Sequence, residues 1–196
     1  MIGKYCFSEF ISNIWALLLT KLFYSRARLI RRPLYLRNGK CMEFKPGLTL
    51  GHACRFDLDG NGKTLFIGAN CNFGDNTHIV AHERVEIGDN VLGASKIFIS
   101  DTNHGCYKGE NQDSPYVAPN DRKLATSPVK IGNNVWIGEN VVILAGSKIG
   151  NGCIIGANAV VCGNFEDNCI IAGIPAKVIK KWNAARQCYE IKDRTD

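Results

Sequence analysis

Proton transfer near neutral pH is the first chemistry that the residue types allow. Histidine is the side chain whose ordinary titration falls there, at a pKa of about 6.5. His104 lies in the stretch SDTNHGCYKGENQDSPYVAPNDRKLATSP, residues 100–128, crowded with Pro, Asn, Asp and Gly. That composition is a loop's, and a loop of this length with no structure of its own is usually functional. Asp101, three residues before His104, has two uses open to it. It can orient the imidazole and stabilise its positive form, as a carboxylate does in a hydrolase triad, or it can cap the turn that launches the loop.

The other reactive groups are thiols and cations. Nine cysteines are an odd number, and no two form a CxxC pair, so a structural zinc site is not expected. The early apolar stretch runs into basic residues and not a small-residue cleavage site, so no cleavable leader and reduced thiols in the cytoplasm are expected. The net charge of +6 is local: Arg26, Arg28, Arg31, Arg32, Arg37 and Lys40 crowd one segment, Lys177, Lys180 and Lys181 another. Two such patches suit a membrane surface or a phosphorylated cofactor. Without a long basic helix or an aromatic-basic stripe they argue against nucleic acid.

The elements that must position these groups show in a six-residue period. Ile131, Ile137, Ile143, Ile149, Ile155 and Val161 fall at intervals of six, with glycine following at 132, 138, 150 and 156. Four residues after each aliphatic stand Val135, Val141, Ser147, Cys153, Ala159 and Phe165, mostly small. A helix cannot produce this rhythm. Short strands joined by tight corners can, three hexapeptides to a coil, each coil stacking on the last with the aliphatic pointing into a narrow prism. The same grammar runs through Ile67, Phe73 and Ile79, shifts by two residues to Ile87, Gly93 and Ile99, and begins irregularly at Leu50 and Phe56. Cys54, Cys71 and Cys153 take the small inward position, where they read as compact hydrophobes.

Ahead of the repeat, Phe7, Phe10, Ile11, Ile14, Trp15, Leu18 and Leu22 recur at spacings of three and four, one face of a helix. Its continuous apolar run is too short to span a bilayer, which takes about 20 residues. The helix either packs on the body of the protein or a neighbouring subunit, or lies in a membrane interface with the following arginines on anionic lipid. Pro33 then ends helical character.

Three stretches carry a family resemblance: IGDNVLGASKIFISDTNHG (87–105), PVKIGNNVWIGENVVILAGSKIGNGCIIGANAVV (128–161) and IIAGIPAKVIKK (170–181). With them the chain resembles the hexapeptide-repeat acyltransferases, and among them the sugar O-acetyltransferases of bacterial surface polysaccharide synthesis and the galactoside and maltose acetyltransferases, from about residue 65 to 181. The resemblance implies an all-β, left-handed parallel β-helix and homotrimers with active sites between neighbouring prisms. The left hand is contrary to the usual crossover rule.

It implies acetyl-CoA as co-substrate, no metal, and a sugar or glycan acceptor, lipid-linked if the basic amphipathic N-terminus holds the protein at a membrane. It makes His104 the general base, work that a positioned imidazole does for about 10²–10⁴-fold. It puts Ala94, Glu139 and Ala157 along the pantetheine, Trp136 as an outer wall, and Lys177 and Lys180 on the phosphates. Asp75, Asn76, His78 and His82, around the turn GDNTHI, are the polar groups available to the acceptor, or simply corners of the coil. The chain departs from the family at Thr102, where many relatives have a second histidine, at Gly163, where some carry lysine, and at Glu139, where serine is common.

Three rivals share the repeat. A gamma-type carbonic anhydrase would use His78, His82 and His104 on zinc, but their spacing departs from that family's. A xenobiotic acetyltransferase would keep the base and the cofactor, and a scaffold would keep neither. The expected organisation is an N-terminal helix and basic extended segment over 1–45, the β-helix over 46–172 with a protruding loop at 100–128, and a C-terminal segment with a short helix over 173–196.

Overall fold

A computed structural model of the chain describes residues 6–191; the outermost ends of the expected first and last segments lie outside that range. The six-residue rhythm becomes a three-sided prism of parallel strands. Face 1 carries, in spatial order, Leu29–Ile30, Thr49–Leu50, Asn72–Phe73, Leu92–Gly93, Trp136–Ile137, Ile154–Ile155 and Cys169–Gly173. Face 2 carries Leu34–Arg37, Cys54–Leu58, His78–Ala81, Phe98–Ser100, Val142–Ile143 and Val160–Val161. Face 3 carries Met42–Phe44, Leu65–Ile67, Val85–Ile87, Val129–Ile131, Lys148–Ile149 and Asn164–Phe165. Six three-sided coils stack, and Cys169–Gly173 adds a seventh strand on face 1.

The register explains the period. Ile137 lies beside Ile155, Ile143 beside Val161 and Ile131 beside Ile149, each pair facing into the prism one coil apart. All six are at most 3% exposed. Removing one such side chain from water is worth about 1.5–3 kcal/mol before chain entropy is charged against it. At the corners the backbone turns through the left-handed region, with φ of 56–60° at Asn70, Asn90, Asn134, Asn140 and Asn158, a conformation asparagine tolerates better than most residues. On face 1, Gly93 follows Phe73 in register, and a Cβ there would come within 2.7 Å of the Phe73 ring. The large ring of one coil is thus accommodated by bare backbone in the next.

Cys54, Cys71 and Cys153 are fully buried at the inward position. Burial pushes the Cys54 thiol up to about 11 and raises those of Cys71 and Cys153, so all three stay protonated and act as small core groups.

Four expectations need correction. The stack begins before residue 46, since Leu29–Ile30 pairs in parallel with Thr49–Leu50 and Leu34–Arg37 with Cys54–Arg55 onward. Phe165 is not at the small inward position. It pairs with Ile149, sixteen positions along where the regular coil gives eighteen, and joins the aliphatic row, partly buried. No C-terminal helix forms among the described residues: Ala176–Asn183 folds back antiparallel on Cys169–Gly173, and Cys188–Ile191 pairs with it in turn. An open sheet edge would leave its N–H and C=O groups unpaired, and this meander covers the edge. Finally, the protruding segment has structure of its own, an antiparallel ribbon of Thr102–His104 against Leu124–Thr126.

The N-terminal helix forms over Phe7–Phe23 and sits on the first coil. Its seated face is small and polar. Ala16 and Thr20 are buried, the Thr20 hydroxyl accepts the Ile30 N–H at 2.9 Å, and Asn13 accepts from Arg31 Nε at 3.0 Å. The large apolar side chains of the amphipathic face point away from the body, with Trp15 61% and Leu22 73% exposed, so of the alternatives open to the helix, packing of that face on its own prism is not what forms.

Candidate active site

The site begins where the ribbon leaves the prism. After Ser100 the chain quits face 2 and returns at Val129 on face 3, so the corner between those faces carries the ribbon in coil 4. His104 ends the outgoing strand, exposed and opposite Leu124. The Tyr107 hydroxyl donates to the His104 carbonyl oxygen. Arg122 Nη1 donates in turn to the Tyr107 hydroxyl at 2.6 Å, while its Nε and Nη2 reach the Val117 carbonyl at 2.9 and 2.7 Å. Neither Tyr107 nor Arg122 is marked by any spacing in the sequence. They are found only by following the fold of the loop.

Asp101 is fully buried, and its carboxylate accepts from the N–H groups of His82 at 3.0 Å, Glu83 at 2.8 Å and Arg84 at 2.8 Å and from the Thr102 hydroxyl at 2.6 Å. Asp101 caps a turn, though the turn at His82–Arg84 one coil earlier and not the one that launches the loop. Four donors occupy its lone pairs, and no hydrogen bond joins it to the His104 imidazole. Thr102 therefore serves the same cap.

A second feature runs along the edge between faces 1 and 2, and its meaning shows by contrast. At the edge between faces 3 and 1, each corner N–H is received by a side chain one coil on: Ala69 by Asp89 at 2.7 Å, Asp89 by Asn133 at 2.7 Å, Asn133 by Asn151 at 2.8 Å and Asn151 by Asp167 at 2.8 Å. The ladder between faces 1 and 2 starts in the same way, His52 N–H to Asp75 at 2.6 Å and Asp75 N–H to Ser95 at 3.1 Å. There it stops. Glu139 turns its carboxylate toward Lys96 at 3.8 Å, and Ala157 has no side-chain oxygen to receive the Glu139 N–H.

Ala94, Glu139 and Ala157 follow one another up this edge in coils 4, 5 and 6, and Glu139 and Ala157 are exposed. Trp136, 52% exposed, stands beside them on face 1 in register with Leu92 and Ile154. Lys177 and Lys180 are exposed on the meander beyond coil 6, opposite Ala172 and Ile170. Lys181 is engaged by Glu166, whose hydrogen bond and charge raise its pKa. An edge with small side chains and backbone amides without side-chain acceptors, an indole alongside and two exposed lysines at one end suits an extended, amide-bearing chain that ends in phosphates.

The four acceptor candidates are not brought together. Asp75 and Asn76 sit at the corner between faces 1 and 2, Asp75 in the ladder and Asn76 in the left-handed conformation with φ 57°. His78 lies on face 2, its Nε2 2.9 Å from Asp57 Oδ2 and its ring 5.2 Å from that of Phe98. Burial alone would raise the Asp57 pKa, yet hydrogen bonds from Arg55 and His78 and the charges of Arg55 and Arg37 hold it below the usual carboxylate value. His82 stands one coil before His104 at the same corner, its backbone tied to Asp101. His78, bound to Asp57, does not converge with the other two histidines. Among the described residues no three His, Cys, Asp or Glu side chains are grouped to hold a metal.

The chain is similar to known proteins. The family described as bacterial transferase hexapeptide (six repeats) matches residues 128–163, and that described as hexapeptide repeat of succinyl-transferase matches residues 65–94. WbbJ of Escherichia coli (strain K12), which its name assigns only provisionally to O-acetyl transfer in lipopolysaccharide biosynthesis, is 43% identical over 188 residues, 95% of each chain. The galactoside O-acetyltransferase of the same organism is 36% identical over 67% of this chain and 61% of its own. Among solved structures, a hexapeptide-repeat-containing acetyltransferase of Vibrio cholerae O1 biovar eltor, complexed with acetyl coenzyme A, aligns with a TM-score of 0.55 at 28% identity. That alignment covers 68% of this chain and 70% of that one.

Proposed function

The chain belongs to the hexapeptide-repeat acetyltransferases, and from that premise we propose that it moves acetyl from acetyl-CoA to a hydroxyl of a sugar in a bacterial surface polysaccharide, with His104 as general base. The imidazole takes the hydroxyl proton as the oxygen attacks the thioester carbonyl. A C–O bond forms, the C–S bond then breaks, and the imidazolium returns the proton to the departing thiolate, leaving the ester and free CoA. The acceptor's neutral hydroxyl needs this help because its alkoxide is out of reach at neutral pH.

The observation that carries this reading is the exposed His104 on a ribbon braced by Tyr107 and Arg122, one prism face away from the edge where the corner ladder stops. Acetyl-CoA fits that edge, with its pantetheine along Ala94, Glu139 and Ala157, Trp136 beside it and its phosphates near Lys177 and Lys180. In a single chain the width of face 2 separates this edge from His104. A homotrimer resolves the separation, because the ribbon corner of one copy can meet the ladder edge of the next. Asp75, Asn76 and His82 then remain as polar groups for the acceptor, while His78 is held by Asp57. The acceptor is taken as a glycan on a lipid carrier, and the protein as cytoplasmic and peripheral to the inner face of the plasma membrane.

The experiment is steady-state acetyl transfer with purified protein. His104→Ala lowers turnover by about 10²–10⁴-fold and leaves acetyl-CoA binding by calorimetry intact; near wild-type turnover removes His104 as the base. Mass spectrometry of surface glycan from cells with and without the protein then reads the acceptor, one acetyl group per repeat being lost.

A further inference from the structure

The helix Phe7–Phe23 is seated with its apolar side turned outward. Residues in an α-helix advance by about 100° each, and on that wheel Phe7, Ile11, Ile14, Trp15, Leu18 and Leu22 share one continuous arc. All six are exposed, while Asn13, Ala16 and Thr20 on the other side make the contacts with coil 1. Burial therefore selects the small polar face and leaves a broad arc of aromatic and aliphatic side chains uncovered by the described residues, the mark of an interaction surface.

Charge identifies the occupant. Between Glu9 and Glu43 the sequence holds no acidic residue and seven basic ones, Lys21, Arg26, Arg28, Arg31, Arg32, Arg37 and Lys40. Some are committed: Arg31 to Asn13, Arg37 to Asp57, and Arg32 over the Tyr24 ring at 5.7 Å. Arg26, Arg28 and Lys40 are exposed and join no ion pair among the described residues, Arg28 making one exposed hydrogen bond to Asn70 Oδ1 at 3.3 Å. A second copy laid on this helix would bring the same cations against these and would contact only a narrow seam of the arc. An anionic bilayer meets both features together: its acyl boundary accepts a wide, uneven apolar face, and its headgroups accept the guanidinium groups. No helix among the described residues is long and apolar enough to cross a membrane.

We propose that this outward face is a lipid-docking surface, inserted in the plane of a bilayer that carries anionic phospholipid, with Arg26 and Arg28 on its headgroups. The inference deepens the peripheral placement above but is independent of the acetyl-transfer assignment, and it is read without any turnover.

The test is co-sedimentation of the full chain with vesicles of phosphatidylcholine alone and of phosphatidylcholine with phosphatidylglycerol, at low and high salt. Wild type sediments with the anionic vesicles and is released as salt rises. The double variant Trp15→Glu, Leu18→Glu binds about tenfold or more weakly, and Arg26→Glu, Arg28→Glu falls by a similar factor on anionic vesicles alone. Brominated lipid quenches the wild-type tryptophan fluorescence and leaves Trp15→Phe largely unquenched. Far-ultraviolet circular dichroism and a thermal unfolding midpoint close to wild type show that both double variants fold. Failure of wild type to sediment with anionic vesicles overturns the proposal, as does a wild type that ignores vesicles while Trp15→Glu, Leu18→Glu breaks its oligomer, which would give the face to a second copy.

Discussion

The hydroxyl of Tyr107 donates a hydrogen bond to the backbone carbonyl of His104, three residues away along the ribbon. Gly105 between them has φ +111°, and a Cβ there would stand 2.7 Å from the Tyr107 hydroxyl, so the contact depends on the glycine as well as on the tyrosine. The bond fixes the backbone that presents the imidazole rather than touching the imidazole itself. Tyr107→Phe is expected to lower kcat by about 5- to 100-fold, the range over which small displacements of a catalytic group act. The KM for acetyl-CoA should stay within about twofold, because the cofactor edge is elsewhere. Steady-state kinetics reads the split, and an unaltered kcat would remove Tyr107 as a positioning residue.

Asp101 separates a structural carboxylate from a catalytic one. It receives three successive backbone N–H groups at the His82–Arg84 turn and the Thr102 hydroxyl, and each buried donor left unpaired costs about 1–3 kcal/mol. Asp101→Ala is therefore expected to lower stability by about 3 kcal/mol or more in denaturant unfolding. The activity that remains per folded molecule should keep the wild-type pH profile. A stable variant with a displaced pH profile would restore the imidazole-orienting role.

The prism was legible because each inward side chain meets its equivalent one coil on. Ile137 and Ile155, or Ile143 and Val161, announce a stack by spacing alone. Phe165 was misplaced because a two-residue deletion does not show where an apolar residue suits either inward row. The helix was legible as an amphipathic arc, but periodicity does not say which side is seated, and here Asn13, Ala16 and Thr20 were the seat. His104 is marked as a candidate by the loop and the resemblance. Tyr107 and Arg122 carry no such mark, and the cap at Asp101 stands in the sequence only as one of two uses with its partner turn at 82–84 unseen, because these roles arise from contacts across a non-repeating segment. The break in the corner ladder was half visible, since Glu139 and Ala157 replace the Asp and Asn of other corners, but its significance needed the intact edge beside it for comparison.

Ala157 is the point where an added side chain tests the cofactor edge with least damage to the fold. It is exposed at a corner of coil 6, and the neighbouring core position Ala159 is fully buried. Ala157→Leu is expected to leave the unfolding midpoint close to wild type, as surface substitutions usually do, while raising the KM for acetyl-CoA by about tenfold or more. The kcat at saturation should be much less affected. Equal acetyl-CoA affinity in wild type and variant, measured by calorimetry, would take the pantetheine away from this edge.

Asp57 gives a pH dependence whose sign can be worked out. Burial opposes its charged form, but hydrogen bonds from Arg55 at 2.6 Å and His78 at 2.9 Å, with Arg37 at 3.2 Å, depress its pKa below the ordinary carboxylate value. A group depressed in the folded state binds protons more readily when unfolded. Its stabilisation is therefore complete above the unfolded pKa of about 3.9 and is lost as pH falls through the lower folded value. The contribution is about 1 kcal/mol, since Arg37 and Arg55 are largely solvated. Asp57→Asn is expected to be slightly less stable than wild type at pH 7 and to lose less stability than wild type on acidification from pH 5 to 3. Thermal unfolding across that window reads the difference, and parallel curves for the two proteins would show that the Arg37, Arg55 and His78 cluster does not couple proton binding to folding.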